Sequence, residues 1–164
     1  IRYKNKSIAN LPLLERKEIL CNIIPEDTSL FNQVKWITGE GTNYFHLTQL
    51  HDLEGIVLKK GNSKYQIDKR SNDWLKVINY KYEDVYITGY RKGEYGLILS
   101  FLDGRYAGML EFIPFSDRKY LSKTMQCLTE NDKYVYINPI KCKVKYRNLT
   151  KKGLLRIPSF VEWC

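Results

Sequence analysis

The amino-acid sequence predicts an α+β protein in two parts, a mixed helix-and-strand segment followed by a small β-barrel of the OB type. Three observations predict it. Residues 1–80 mix helical and extended patterns, whereas beyond Tyr80 three β-rich runs follow one another at 84–91, 96–102 and 106–112, broken by Gly93 and by Asp103-Gly104. A helical stretch from Pro114 to about 128, with Ser116 as its cap, and further strands at 135–139, 141–146 and 154–157 complete the layout of an OB-type barrel. An SH3-like barrel or a small α+β domain fits that pattern nearly as well. The boundary is placed near 80–84, and no repeat or low-complexity linker interrupts the chain.

A length of 164 residues accommodates one ordinary domain or two small ones with a real apolar core. Lys and Arg number 27 against 18 Asp and Glu, a formal net charge of +9, which favours polyanionic partners, with nucleic acid ahead of an anionic membrane surface. A merely soluble basic protein would carry the same charge. Thirteen Tyr lie among the cations, as base stacking would use them, though Tyr is also an ordinary strand residue. Cys21, Cys127, Cys142 and Cys164 are scattered, without the close pairs of a zinc site. With no disulfide framework and no secretory leader, a reducing cytoplasm is the expected compartment. No apolar run approaches the roughly 20 residues that span a bilayer, so no membrane is expected as a partner. His46 and His51 lack zincin spacing, and no Ser-His-Asp or Cys-His arrangement is legible.

Taken in order, residues 1–9 are polar and basic and begin without Met, as a fragment or a processed product would. Asn10 as cap and Pro12 in the first turn predict a helix with Leu13, Leu14, Ile19 and Leu20 on its apolar face, ending near 23–26 where Pro25 cannot continue it. Residues 34–38 alternate as a strand, Gly39-Glu40-Gly41 turns the chain, and 42–52 reads as a second helix carrying Phe45, Leu47 and Leu50. A strand at 53–60, a polar turn at 60–63 and a second strand at 74–78 follow. The first 80 residues are expected to leave strand edges unpaired and to be unstable or self-associating in isolation.

The chemistry concentrates in these two strands. Glu54 stands at the entrance of an extended run whose middle, Ile56 and Val57, is apolar and expected to be buried, and Lys59 stands at its exit. Strict alternation puts Glu54 and Lys59 on opposite faces, so a shared site requires a twist or an end effect near Leu58. Lys76 and Ile78 share a face of the next strand, and Lys69 and Arg70 sit in the turn before it. A carboxylate and several ammonium groups drawn together suit a phosphate and its metal ion. A solvated strand edge studded with lysine against aggregation would carry the same letters.

The combination resembles the ATP-dependent DNA ligases, a branch of the lysine nucleotidyltransferase superfamily. Glu54-Gly55-Ile56-Val57-Leu58-Lys59 matches that family's fourth motif, and Arg70-Ser71-x-x-Trp74-Leu75-Lys76 its fifth. Pro12-Leu13-Leu14-Glu15-Arg16-Lys17 resembles the segment after its nucleoside-stacking motif. Asp84-Val85 through Gly89-Tyr90-Arg91-x-Gly93-Glu94 resembles the opening strand of its OB domain, and Thr150 through Phe160 the run before its last motif.

The resemblance implies the C-terminal part of an α+β nucleotidyltransferase (ATP-grasp-like adenylation) domain over 1–81 and an OB-fold domain over 82–164, of the small bacterial or phage type. It also implies a three-step sealing of nicked double-stranded DNA through protein-AMP and DNA-adenylate, with ATP and Mg2+ as cofactors and a monomeric full-length parent. Lys59 and Lys76 would hold the α-phosphate as catalytic residues, and Glu54 would organise the nucleotide and its metal. Arg70 and Trp74 would shape the pocket edge. Arg91, Lys92, Lys141, Lys143 and Lys145 would contact DNA phosphates across the minor groove.

Three departures qualify this. No Lys-x-Asp-Gly nucleophile motif occurs, the only Asp-Gly being Asp103-Gly104, so the chain reads as the back half of a ligase, with its covalent lysine before Ile1. Ile78 stands where many relatives have a second lysine in the fifth motif, and the Arg-x-Asp-Lys motif expected after Cys164 is absent. The alternatives are a nonenzymatic, decayed ligase that binds DNA, and an RNA ligase or capping-type nucleotidyltransferase.

Overall fold

A computed structural model describes residues 1–24 and 29–164. Within it the chain divides into two compact units, 1–78 and 79–164. Pro25 and Glu26, expected at the end of the first helix, lie outside the described residues.

The first unit opens with a small hairpin that the sequence reading missed, β1 (Arg2–Tyr3) and β2 (Lys6–Ser7). Lys4 and Asn5 at its tip have φ of 47° and 62°, the left-handed pair that a tight two-residue turn requires. Helix α1 (Leu13–Ile23) starts from Pro12 without a side-chain cap, so Asn10 does not serve as one. In its place the N–H of Leu14 donates to the Gly61 carbonyl at 3.1 Å, a tertiary contact doing what a cap would do locally. Of the expected apolar face only Leu13 is buried, while Leu14 and Leu20 remain exposed. Residues 34–38 form no strand, since their alternating pattern finds no partner ladder among the described residues. Gly39 and Glu40, with φ of 69° and 50°, turn the chain into α2 (Gly41–Leu50), whose buried residue is Thr48, while Leu47 and Leu50 face outward.

The exit from α2 is a Schellman-type closure. Asp52 has φ 54°, its N–H donates to the Gln49 carbonyl, and the Leu53 N–H reaches back to the Thr48 carbonyl at 2.8 Å. That closure delivers the chain into β3 (Gly55–Lys59), which pairs antiparallel with β4 (Trp74–Ile78). The two pair with no other strand among the described residues.

The second unit is built on one bent antiparallel sheet. Strands β5 (Lys81–Arg91), β6 (Leu97–Phe101) and β7 (Tyr106–Leu110) form a meander, followed by α3 (Phe115–Thr124), β8 (Cys127–Glu130), β9 (Tyr134–Tyr146) and β10 (Ser159–Trp163). Strand order is β10-β9-β5-β6-β7, with β8 on β9. Expected as two strands, 135–139 and 141–146, β9 is one: its register against β5 jumps from Ile140↔Ile87 to Tyr136↔Gly89, a bulge over 137–139 where Pro139 offers no N–H. Gly89 is needed at that bend, because a Cβ there would lie 2.5 Å from the Val135 carbonyl oxygen. The core is aliphatic, with Val85, Ile87, Leu99, Leu110, Ile113, Cys142 and Val144 fully buried. Helix α3 begins after Pro114, gains no side-chain cap from Ser116, and stops at Thr124, so residue 128 belongs to β8.

The α+β class is observed, but the ladder does not close into a barrel. Strands β7 and β10 are its ends, and the strand expected at 154–157 is a single bridge, Leu149↔Leu155. Left-handed φ at Gly153 (74°) and Ile157 (53°), with Pro158 behind them, prevents extension. One bond from the Leu155 N–H to the Ala107 carbonyl, 2.8 Å, spans the seam where a closing ladder would lie. No helix among the described residues is long and apolar enough to cross a membrane.

Candidate functional site

Register decides which charges of β3 and β4 meet. Val57 lies opposite Lys76 and Lys59 opposite Trp74, so Val57, Lys59, Trp74 and Lys76 share one face of the two-stranded sheet. By alternation Glu54 would fall on the other. It does not, because Gly55 has φ 139° and a Cβ there would lie 2.1 Å from the Val77 carbonyl oxygen, a conformation and a contact open only to glycine. The backbone turns there, and Glu54 Oε1 comes to 3.9 Å from Lys76 Nζ. The break from strand geometry thus falls at Gly55 and not near Leu58, and it brings Glu54 to Lys76, not to Lys59.

Glu54 and Lys76 border a hollow of ≈ 150 Å³, lined also by Gly55, Ile56, Val57, Val77 and Ile78. That volume suits a phosphate-sized group more than a whole nucleotide. The pair is wet, its side chains 38% and 61% exposed, so the attraction is weak and an incoming anion can displace the carboxylate. Ile56 is buried as expected, whereas Val57 is half exposed on the site face.

Lys59 does not line this hollow. Its Nζ stands 4.2 Å over the Trp74 ring, and Trp74 meets Tyr65 edge-on at 6.1 Å. Tyr65 in turn lies under the Arg16 guanidinium at 5.8 Å. Arg16 also donates through Nη2 to the Ser63 carbonyl, and the Tyr65 N–H donates to the Ala9 carbonyl, so the segment from Ala9 to Arg16 holds the loop between β3 and β4. Trp74 thus packs against Lys59 and does not rim the Glu54–Lys76 hollow, and Arg70 is exposed in the irregular run before β4. The structure joins Glu54 to Lys76 and places Lys59 two residues along the same face.

A cation that the sequence reading did not assign lies near Lys59. Lys17 on α1 places Nζ 4.7 Å over the Trp36 ring. Partial burial and then the Lys59 ammonium lower its pKa, while Cys21 acts in the opposite sense. Its only signal in the sequence was membership of the stretch from Pro12 to Lys17.

In the second unit the predicted DNA contacts are spread over β5, the turn after it and β9. Lys141, Lys143 and Lys145 alternate onto one face of β9. Lys141 pairs with Asp84 at 2.9 Å and Lys143 with Glu162 at 2.8 Å, while Lys145 stands over the Tyr80 ring at 4.9 Å. Arg91 pairs with Glu94 at 3.1 Å and Lys92 with Glu130 at 3.0 Å. The hydrogen bond from Lys141 lowers the Asp84 pKa and raises that of Lys141, and the bond to Glu162 raises that of Lys143. This face is basic but carries its own counter-charges, and these would have to be displaced or bridged by phosphates. Cys142 behind it is buried among apolar side chains, which pushes its thiol up to about 12 and leaves it unreactive.

Residues 1–77 match the family model of the ATP dependent DNA ligase domain. The chain is 48% identical over 162 residues to the SPbeta prophage-derived DNA ligase-like protein LigB of Bacillus subtilis, an alignment covering 98% of this chain and 60% of that protein. It is 46% identical over 65 residues to the bifunctional non-homologous end joining protein LigD of the same organism, covering 36% of this chain and 11% of that protein. The chain therefore spans 60% of the length of the first of these curated relatives and a small part of the second. A solved Lig E DNA ligase structure superposes with a TM-score of 0.72 at 18% identity, covering 96% of this chain and 60% of that one, a likeness of fold.

Proposed function

Because its residues 1–77 belong to the family of the ATP-dependent DNA ligase domain, we propose that this chain is the phosphate-handling and DNA-gripping part of an enzyme that seals nicks in duplex DNA. Residues 1–81 would be part of the nucleotidyltransferase domain and 82–164 an OB-type domain. The observation that carries the reading is the meeting of Glu54 with Lys76 at 3.9 Å on the face that also bears Lys59.

In the sealing step a 3′-hydroxyl oxygen bonds to the 5′-phosphorus as the bond from that phosphorus to the AMP phosphate breaks. AMP leaves with the electron pair, and the hydroxyl proton passes to solvent or a nearby base. Negative charge is redistributed over the phosphoryl oxygens, and Lys76 at the hollow would supply positive charge for it, with Lys59 farther along the same face adding to the field. No group of three His, Cys, Asp or Glu side chains suited to a metal occurs among the described residues. Glu54 alone nevertheless fits the way Mg2+ is held, by one or two carboxylates together with substrate phosphates. When bound, the ion would neutralise phosphate charge. The lysine that forms protein-AMP is not in this sequence, which contains no Lys-x-Asp-Gly. The residues present would serve the steps on DNA-adenylate, in a cytoplasmic protein working on nicked duplex.

One observation favours a second reading. Ile78 lines the hollow at the position where the resemblance to the fifth motif implies a second lysine, so the site offers one cation fewer than that motif would, as a nonenzymatic DNA-binding relative would. Sealing of a pre-adenylylated nick separates the two. Enzyme function predicts sealing that falls about a hundredfold in Lys76→Ala, with thermal unfolding unchanged because the side chain is exposed. Binding of nicked duplex without sealing, in wild type and variant alike, identifies the nonenzymatic protein.

A further inference from the structure

The second unit carries a pocket of ≈ 340 Å³ on the sheet face opposite its aliphatic core. Four strands contribute to it. Tyr134 and Tyr136 of β9 form one wall, Tyr106 and Met109 of β7 the other, and Thr88 of β5 with Ile98 and Ser100 of β6 the floor. The bulge at Ile87/Gly89 bends the sheet between the walls. Burial, followed by the nearby Tyr134 phenol, raises the Tyr106 pKa, while Arg91 acts against them, so the walls and this cation lie within electrostatic reach of one another.

We propose that this pocket binds one unpaired nucleobase of a single-stranded or locally opened polynucleotide. The Tyr134 and Tyr136 rings, 6.5 Å apart between centroids, offer aromatic faces half open to solvent. Paired bases keep their faces covered by their neighbours in the stack, so aromatic side chains of this kind are used by unpaired bases. Thr88 Oγ1 and Ser100 Oγ, 3.2 Å apart, bond to each other on the floor and can exchange that bond for one to a base edge. The volume is at the lower end of small-ligand pockets and suits one base with its sugar.

Charge at the rim supports a polyanion as the occupant. Gly96 has no Cβ, and the space this leaves is bordered by Met109 Cε and the Arg91 guanidinium, which brings that cation beside a wall residue. Arg91 Nε is buried without a hydrogen-bond partner, although the group pairs with Glu94 through Nη2. A strand passing the rim would present a phosphate to it. The proposal is independent of strand sealing.

The test uses the whole chain and fluorescence anisotropy with two oligomers of equal length, oligothymidylate and its abasic counterpart. Oligothymidylate is expected to bind about tenfold more tightly. Tyr136→Leu and Tyr134→Leu should abolish that preference, Tyr136→Phe should keep it, and Tyr82→Leu, at an exposed position outside the pocket, should leave it unchanged. Equal affinity for the two oligomers would overturn the proposal, as would leucine variants that bind like the wild type or a loss in Tyr82→Leu as large as that in Tyr136→Leu. Unchanged circular-dichroism melting of the leucine variants ties a loss to the rings.

Discussion

The two units use their apolar residues in opposite ways. In 79–164 an aliphatic core forms, in which Val85, Ile87, Leu99, Leu110 and Ile113 have no exposed surface, while Leu102, Leu128 and Ile157 stay outside it. In 1–78 Leu30, Val34 and Leu50 are more than 80% exposed, and α1 and α2 each bury a single residue. The first unit is held by polar and cation–aromatic contacts, namely Leu14 to Gly61, Arg16 to Ser63 and Tyr65, and Lys59 to Trp74. Apolar letters alone do not make a core. A bent sheet with a covering helix can enclose them, whereas two short helices and a two-stranded sheet have too little concave surface to do so.

The sharpest way to break this contrast is to truncate one leucine in each unit. Leu99→Ala should destabilise the second unit by about 2–5 kcal/mol in urea unfolding, whereas Leu50→Ala, at a position 81% exposed, should change stability by no more than about 0.5 kcal/mol. Similar losses at both positions would remove the distinction.

Backbone geometry gives the next effect. Gly55→Ala places a methyl group 2.1 Å from the Val77 carbonyl at a φ of 139°, so β3 and β4 must part. The variant should lose hydrogen-exchange protection at the amides of β3 and β4 and also lose the effect of Lys76, while the amides of β5 and β9 exchange as before. Unchanged protection in β3 would mean that Gly55 is not what turns Glu54 toward Lys76.

The smallest effect is electrostatic. The folded-state pKa of Asp84 is lowered by the bond from Lys141, so its contribution is present above the ordinary carboxylate value of 3.8 and is lost as pH falls through the lowered folded value. Asp84→Asn should therefore lower stability slightly at neutral pH, where the contribution is present, and flatten the acid limb, so that the two proteins converge below the lowered folded value. A neutral-pH loss comparable to that of Leu99→Ala would assign Asp84 a role in packing.

Much of the site's local structure was legible because it depends on short-range pattern. β4 falls where its apolar letters and the preceding turn place it, and α2 follows its glycine turn within a residue or two. Lys76 was singled out from its motif, and its approach to Glu54 is observed. The Glu54 orientation was not legible, since period-two counting assumes β geometry at every residue and Gly55 departs from it. Residues 34–38 misled for a related reason: alternation shows that a segment could pair, and says nothing of whether a partner is there.

What the sequence determined by itself is the set of local tendencies: the strand runs, the turn glycines, the family motifs and the excess of positive charge. Tertiary structure alone decided which charges cancel and which rings gather. Lys141 and Lys143 met Asp84 and Glu162 through register between strands far apart in the chain, and three tyrosines from β7 and β9 came to line one pocket because a bulge bent the sheet between them. Side chains in different strands become neighbours through register and curvature, and both are set by hydrogen bonds between segments whose pairing no local stretch encodes.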